Sequence, residues 1–204
     1  MSKVYPNATA AAVTENQSAA ASPNSQLVLT VWKKSLLVNC NGFTVFDATG
    51  NLVFRVDNYN SNPIKTRIIL MDASGNSLLT IRRKRLILPD KWLVYRGETA
   101  VNPILSVRKN VNLLNTKSLA HGSSAGNSTG SGTLTYEIEG SYTQRCCVVY
   151  DGRRRLVAEI KRKEADGGVA IGLDVFRLII VDPDQIDSAV AMAIVILLDR
   201  MFPS

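Results

Sequence analysis

Ten consecutive residues near the carboxyl end, Ala189-Val190-Ala191-Met192-Ala193-Ile194-Val195-Ile196-Leu197-Leu198, carry no polar side chain. A helix that is apolar on every side has to be enclosed on every side. The chain before it reads as short strands and tight turns, so the available enclosure is β-sheet. The start is marked by Asp182 as N-cap, Pro183 at the first helical position and Gln185 where a capping box places it. Asp184 and Asp187 add negative charge at the positive end of the helix dipole. These signals predict a helix over 183–200. The apolar run rises about 15 Å at helical pitch, half of the roughly 30 Å hydrocarbon layer of a bilayer. Charged residues bound it on both sides, so a buried core helix is the reading and a transmembrane span is not.

A repeated unit fills the middle of the chain. Phe43 to Phe54 and Ile68 to Leu79 each read as strand, Asp-opened turn with glycine, strand; Val148 to Ala158 is a third copy with its glycine shifted. Asp bonds its own backbone two residues on and Gly takes the left-handed position, so each unit is a β-hairpin. A degenerate copy runs from Trp92 to Arg108. The result is a meander of ten to twelve strands. Closing such a sheet on itself removes its two exposed edges, and a barrel wider than about eight strands needs something inside it. The apolar helix fits that role. Residues 1–25, rich in Ala, Ser, Asn and Thr, read as a disordered tail; 26–204 read as one domain, with a flexible Ser/Gly loop at 118–132 that contains the sole histidine, His121.

The chain has 204 residues, a net charge of +7 and a pI near 9.5, which favours anionic partners. Charge is segregated. Residues 80–110 hold Arg82, Arg83, Lys84, Arg85, Lys91, Arg96, Arg108 and Lys109 against Asp90 and Glu98; residues 145–163 are similarly basic; residues 164–199 are acidic. One reading is a basic face for phosphate groups, the other a solvated barrel exterior. The run Arg82-Arg83-Lys84-Arg85 is also a short nuclear-localisation pattern. In a strand two of its four side chains would face inward, which places it at a strand end or on the barrel rim. Of the three cysteines, Cys40 stands apart, while Cys146 and Cys147 are adjacent and point to opposite faces of a strand. Free thiols in a reducing compartment are expected, with no zinc spacing. No nucleophile–base motif or phosphate-binding loop is present, so no enzyme, cofactor, metal site or catalytic residue is predicted.

Phe43-Thr44-Val45-Phe46-Asp47-Ala48 is similar to the F-T-V-[YF]-D segment of tubby-like domains. With Leu29 to Leu36, Phe43 to Tyr59, Met71 to Gly75 and the terminal helix, the chain more closely resembles the plant LURP-one-related family. That family sits in the tubby C-terminal-like and phospholipid scramblase-like superfamily. The resemblance implies a mainly β (α+β) fold, a closed antiparallel β-barrel of about twelve strands around a central hydrophobic C-terminal α-helix. It implies a plant protein linked to pathogen defence, and relatives in the superfamily that are membrane-tethered transcription regulators binding phosphoinositides. Tubby domains grip head groups with a Lys-x-Arg pair before the F-T-V-Y-D segment. Lys33 falls near the Lys position, but Ser35 stands where Arg would be, with Lys34 as a substitute. Scramblases carry an acidic calcium-binding segment before their helix; Asp174 to Ile179 lacks its alternating oxygen ligands. The expectation is a non-enzymatic regulator that binds an anionic phospholipid surface through Lys33, Lys34, Arg82, Arg83, Lys84 and Arg85. The alternative is a nuclear regulator contacting nucleic acid or a protein partner. The expected form is a monomer in the cytoplasm, peripheral at the plasma membrane, or in the nucleus.

Overall fold

A computed structural model describes residues 26–37, 41–58, 67–84, 91–110, 117–124, 134–164 and 172–203. Twelve strands are formed: β1 (Leu27–Trp32), β2 (Asn41–Phe46), β3 (Leu52–Asn58), β4 (Arg67–Asp72), β5 (Ser77–Lys84), β6 (Lys91–Arg96), β7 (Leu105–Lys109), β8 (Ser118–Ser124), β9 (Thr135–Ser141), β10 (Cys146–Asp151), β11 (Leu156–Arg162) and β12 (Val175–Ile180). Each pairs antiparallel with its neighbour in sequence, and β12 pairs back onto β1, so the sheet is a closed barrel. The expected meander and its closure are both present.

The three hairpin signals fold as read: β2–β3, β4–β5 and β10–β11. In the first turn the Asp47 carboxylate accepts from the Thr49 and Asn51 amides, and Gly50 takes φ +88°. Asp72 accepts from the Asn76 amide, with Gly75 at φ +89°. Hydrogen bonds from the Thr49 hydroxyl to Asp47, and from the Asn76 side chain to Asp72, hold both carboxyls below their ordinary range. The third turn explains its shifted glycine. Arg154, not Gly152, occupies the left-handed position, at φ +61°, and is held there by Glu137 and Glu139 at 2.8 Å each and by stacking on Tyr150.

The helix α1 runs Ser188–Met201 along the barrel interior, and Ala191 to Leu198 are each at most 2% exposed. Around it stand alternate strand residues such as Leu29, Val31, Val45, Leu70, Ile81, Val94, Val107, Ile138, Phe176 and Leu178, all buried. Alternation along the strands thus separates a wall facing α1 from an outer wall, although Thr44, Thr80 and Ser106 on the outer wall of β2, β5 and β7 are buried too. The predicted start at 183 is corrected: Asp187 is the N-cap, accepting from the Ala189 and Val190 amides, and Pro183 to Gln185 form a turn stabilised by the Asp182 carbonyl. The helix is pushed back because Ile186 is needed in the core, where it is 1% exposed. Asp187→Ala is expected to cost about 1 kcal/mol, read as a lowered denaturant midpoint at unchanged m-value. Among the described residues no helix is long and apolar enough to cross a membrane.

The predicted loop at 118–132 is also corrected in its first half. Ser118–Ser124 is strand β8, paired to β7 and β9, and His121 is fixed on it. The small side chains Ala120 and Gly122 face inward there, with Leu105 and Tyr136 packed close to Gly122. In 118–124 a Ser/Gly/Ala composition therefore marks a tight wall rather than a loop, and 125–132 lie outside the described residues. The tail at 1–25, Cys40 and Arg85 lie outside the described residues.

Candidate functional site

In a closed antiparallel meander all odd strands run one way, so the connections alternate between two ends. The hairpin turns at Asp47, Asp72 and Asp151 share one end with the start of α1. Contacts fix this orientation: the Tyr136 hydroxyl donates to the Gln185 carbonyl at 3.2 Å, and Arg155 donates to the Gln185 side chain at 2.7 Å. Asp182, Asp184 and Asp187 lie here too, and with Glu98 and Glu137 they outnumber Arg96, Arg153, Arg154 and Arg155, so this end is acidic on balance. The opposite end receives the carboxyl terminus of α1. Lys33 pairs with Asp199 at 2.9 Å, and Lys109 donates to the Met201 carbonyl at 3.1 Å while lying over the Phe202 ring. Lys34, Arg82, Arg83, Lys84, Lys91, Arg108, Lys161, Arg162, Arg177 and Arg200 gather at this end. The barrel is therefore charged end to end, positive where α1 finishes. Both signs complement the helix dipole.

The register places the charges of the basic end in order. Lys84 lies directly opposite Lys91, Lys91 opposite Arg108, and Arg108 opposite His121. Ile81, Trp92, Val94 and Val107 face inward on the same strands, so this rung is on the outer face. Among the described residues no carboxylate pairs with Lys84, Lys91 or Arg108. Like charges directly across a sheet repel, which an approaching polyanion relieves. The neighbouring rung places Arg82 opposite Arg67, whose guanidinium is 3.1 Å from Glu98.

The residues predicted to bind anions all fall at this end, apart from Arg85, which is outside the described residues. They do not form one cluster. Lys33 and Lys34 follow β1; Arg82, Arg83 and Lys84 end β5, four strands away, or about 19 Å around the wall at 4.7–4.9 Å per strand. Arg82 and Lys84 share the outer face, while Arg83, opposite the buried Trp92, sits on the inner side of the rim and is exposed there. The expected strand-end position is observed. Sequence reading passed over Lys91, Arg108 and His121 as site residues. The first two stand in the basic stretch; only strand register, which links them to Lys84, distinguishes them.

A cleft of about 300 Å³ opens beside α1, with Lys33, Lys34 and Arg200 at its edge and Phe43, Val56, Ile68 and Ile196 below. Lys33 is committed to Asp199, and Lys34 lies over the Trp32 ring at 5.3 Å. Ser35, where tubby domains carry Arg, is buried and donates to Asp57 at 2.6 Å; Arg55 holds the other oxygen of that carboxylate at 2.8 Å. A phosphate beside Ser35 would meet the Asp57 carboxylate, which weighs against a head-group grip centred there.

The thiols divide as expected: Cys146 is exposed and Cys147 buried. Burial pushes the Cys147 thiol up to about 12. Burial, with Asp199 alongside, also raises the Tyr142 phenol far above its ordinary value.

Residues 27–199 match the profile described as LURP-one-related. The chain is 56% identical to LURP-one-related protein 8 of Arabidopsis thaliana over 182 residues, covering 87% of this chain and 88% of that one. It is 45% identical to LURP-one-related protein 17 of the same plant, covering 85% and 82%. A solved X-ray structure of an Arabidopsis thaliana protein superposes with TM-score 0.59 over 86% of this chain and 90% of that one, at 21% identity. That likeness speaks to the fold.

Proposed function

The chain belongs to the LURP-one-related family, and from that premise we propose that it is a non-enzymatic binding module that docks its basic end on anionic phospholipid. The observation that carries this reading is the outer rung Lys84–Lys91–Arg108, three cations aligned across adjacent strands with no carboxylate paired to them among the described residues. Each Lys or Arg near an anionic leaflet contributes about 1 kcal/mol. The rung sits at the positive end of a polarised barrel, so attraction at long range and contact at short range act on the same end. The superfamily likeness stated above supports a role as a membrane-tethered regulator in plant defence, peripheral at the plasma membrane. Lys34 and Arg200, at the cleft edge, add charge to the same approach surface.

Flotation on vesicles containing phosphoinositide, beside neutral phosphatidylcholine vesicles, tests this. Lys84→Ala with Lys91→Ala is expected to weaken binding about 30-fold, from two lost contributions of about 1 kcal/mol. High salt should abolish what remains. Equal flotation on neutral vesicles, or indifference to the double substitution, refutes the reading. A gel shift with duplex DNA tighter than vesicle binding transfers the same charges to a nuclear role.

A further inference from the structure

A second basic feature lies on the other side of the barrel. Outward residues of β10, β11 and β12 align on one rung: Cys146 opposite Lys161, and Lys161 opposite Arg177. Arg177 in turn lies opposite Thr30, whose hydroxyl is 3.4 Å from the Lys163 amine. Beside this rung the turn before β10 carries Arg145, and the end of β11 carries Arg162. Together they enclose a groove of about 510 Å³, lined also by Glu164 and Ile179.

Two observations mark it as more than a solvated wall. Arg162 is anchored, donating through Nε to the Gln144 carbonyl at 2.9 Å and through Nη2 to the Gln144 side chain. Arg145 is 1% exposed, its guanidinium packed between the Tyr142 and Phe176 rings at 4.2 and 4.7 Å. It donates to the Leu173 and Tyr142 carbonyls, and Nη2 is buried with no acceptor. A buried charged donor left unpaired is costly. Arg145 also holds φ +51°, a conformation that non-glycine residues adopt at an energetic cost. No carboxylate pairs with Arg145, Arg162 or Arg177 among the described residues, while Lys161 is 2.6 Å from Glu159.

We infer that this groove binds a small phosphorylated organic molecule. Four cations, the buried Arg145 among them, set against Glu164 in the lining and Glu159 beside it leave two positive charges to be met. A phosphate monoester carries about −1.5 to −2 near neutral pH, so one such group balances the site. Its volume falls within the range of about 300–1,000 Å³ typical of sites for whole organic ligands, more than a lone phosphate fills. Ile179 and the aliphatic stems of Lys161 and Arg177 offer an apolar wall to the organic part. None of these residues belongs to the Lys84–Lys91–Arg108 rung, so the inference does not rest on lipid docking.

Titration calorimetry with inositol hexakisphosphate, adenosine triphosphate and inorganic phosphate tests it, with phosphatidylserine vesicles as the lipid arm. The polyphosphates are expected to bind one per chain, more tightly than inorganic phosphate, and to slow alkylation of the exposed Cys146 thiol. Lys161→Ala with Arg177→Ala, both exposed positions that should leave the melt unchanged, is expected to weaken polyphosphate binding about tenfold or more and to weaken vesicle binding far less than the substitutions at Lys84 and Lys91 do. Lys84→Ala with Lys91→Ala is expected to do the reverse. No polyphosphate binding, binding that survives the groove substitutions, or binding lost equally in the Lys84/Lys91 variant overturns the inference. Loss of vesicle binding alone bears only on the lipid reading.

Discussion

Removing residues 186–204 is expected to leave a chain that does not fold. The truncation deletes Ile186 and all of α1, including eight consecutive residues that are each at most 2% exposed. The large side chains among them contribute about 1.5–3 kcal/mol each on burial, against a net domain stability of about 5–15 kcal/mol. Relaxation cannot recover the loss, because a twelve-strand wall is too wide to fill its lumen with its own side chains. The deleted segment also supplies Asp199, which accepts from Lys33 and Tyr142. The expected product is aggregated, without a cooperative melt. Soluble truncated protein with a sigmoidal transition would show that the barrel stands without its filling. A graded version, Ile194→Ala, is expected to keep the fold and to lose about 2–5 kcal/mol, read by denaturant titration.

The second large effect is expected at Gly140. It ends the regular part of β9 at φ +110°, a region that side-chain-bearing residues rarely enter. A Cβ placed there would lie 2.2 Å from the Cys146 carbonyl oxygen and 3.1 Å from the Cys147 Cα. Both neighbours are backbone of the paired strand β10, so neither can swing aside. Gly140→Ala must therefore spread β9 from β10 or distort the turn that carries Arg145. A loss of about 3 kcal/mol is expected, measured as a shift in the urea midpoint. The same substitution at Gly75, also left-handed but with nothing within 4 Å, should cost less. Equal losses at the two positions would mean that dihedral strain, not the close approach, dominates.

What could be read before folding follows from how local each signal is. The Asp-turn-Gly units specify hairpins through bonds within five residues, so Asp47 and Asp72 were legible, and Arg154 showed only that its turn was unusual. The all-apolar helix was legible from hydropathy, but its first turn was not. Asp182, Pro183 and Gln185 satisfy every capping rule, and the demand of the core for Ile186 overrides them. The strand at Ser118–Ser124 was hidden because Ala120 and Gly122 are small where the wall must approach Leu105 and Tyr136 closely, and small residues in a run resemble a loop. The candidate site was half legible. The basic stretch at 80–110 is visible in one dimension. The alignment of Lys84, Lys91 and Arg108 is a property of pairing across strands, and so is the enclosure of Arg145 by Tyr142 and Phe176.

The separation of acidic turns from basic strand ends gives the molecule a permanent electric moment along its long axis. Near any negatively charged plane such a body experiences torque as well as attraction. That torque turns the carboxyl end of α1 toward the plane and the Asp47 and Asp72 turns away from it. The end that faces away carries the exposed Arg153, Arg154 and Arg155 among its carboxylates, so the moment comes from an excess of acid there and not from an unbroken acidic ring.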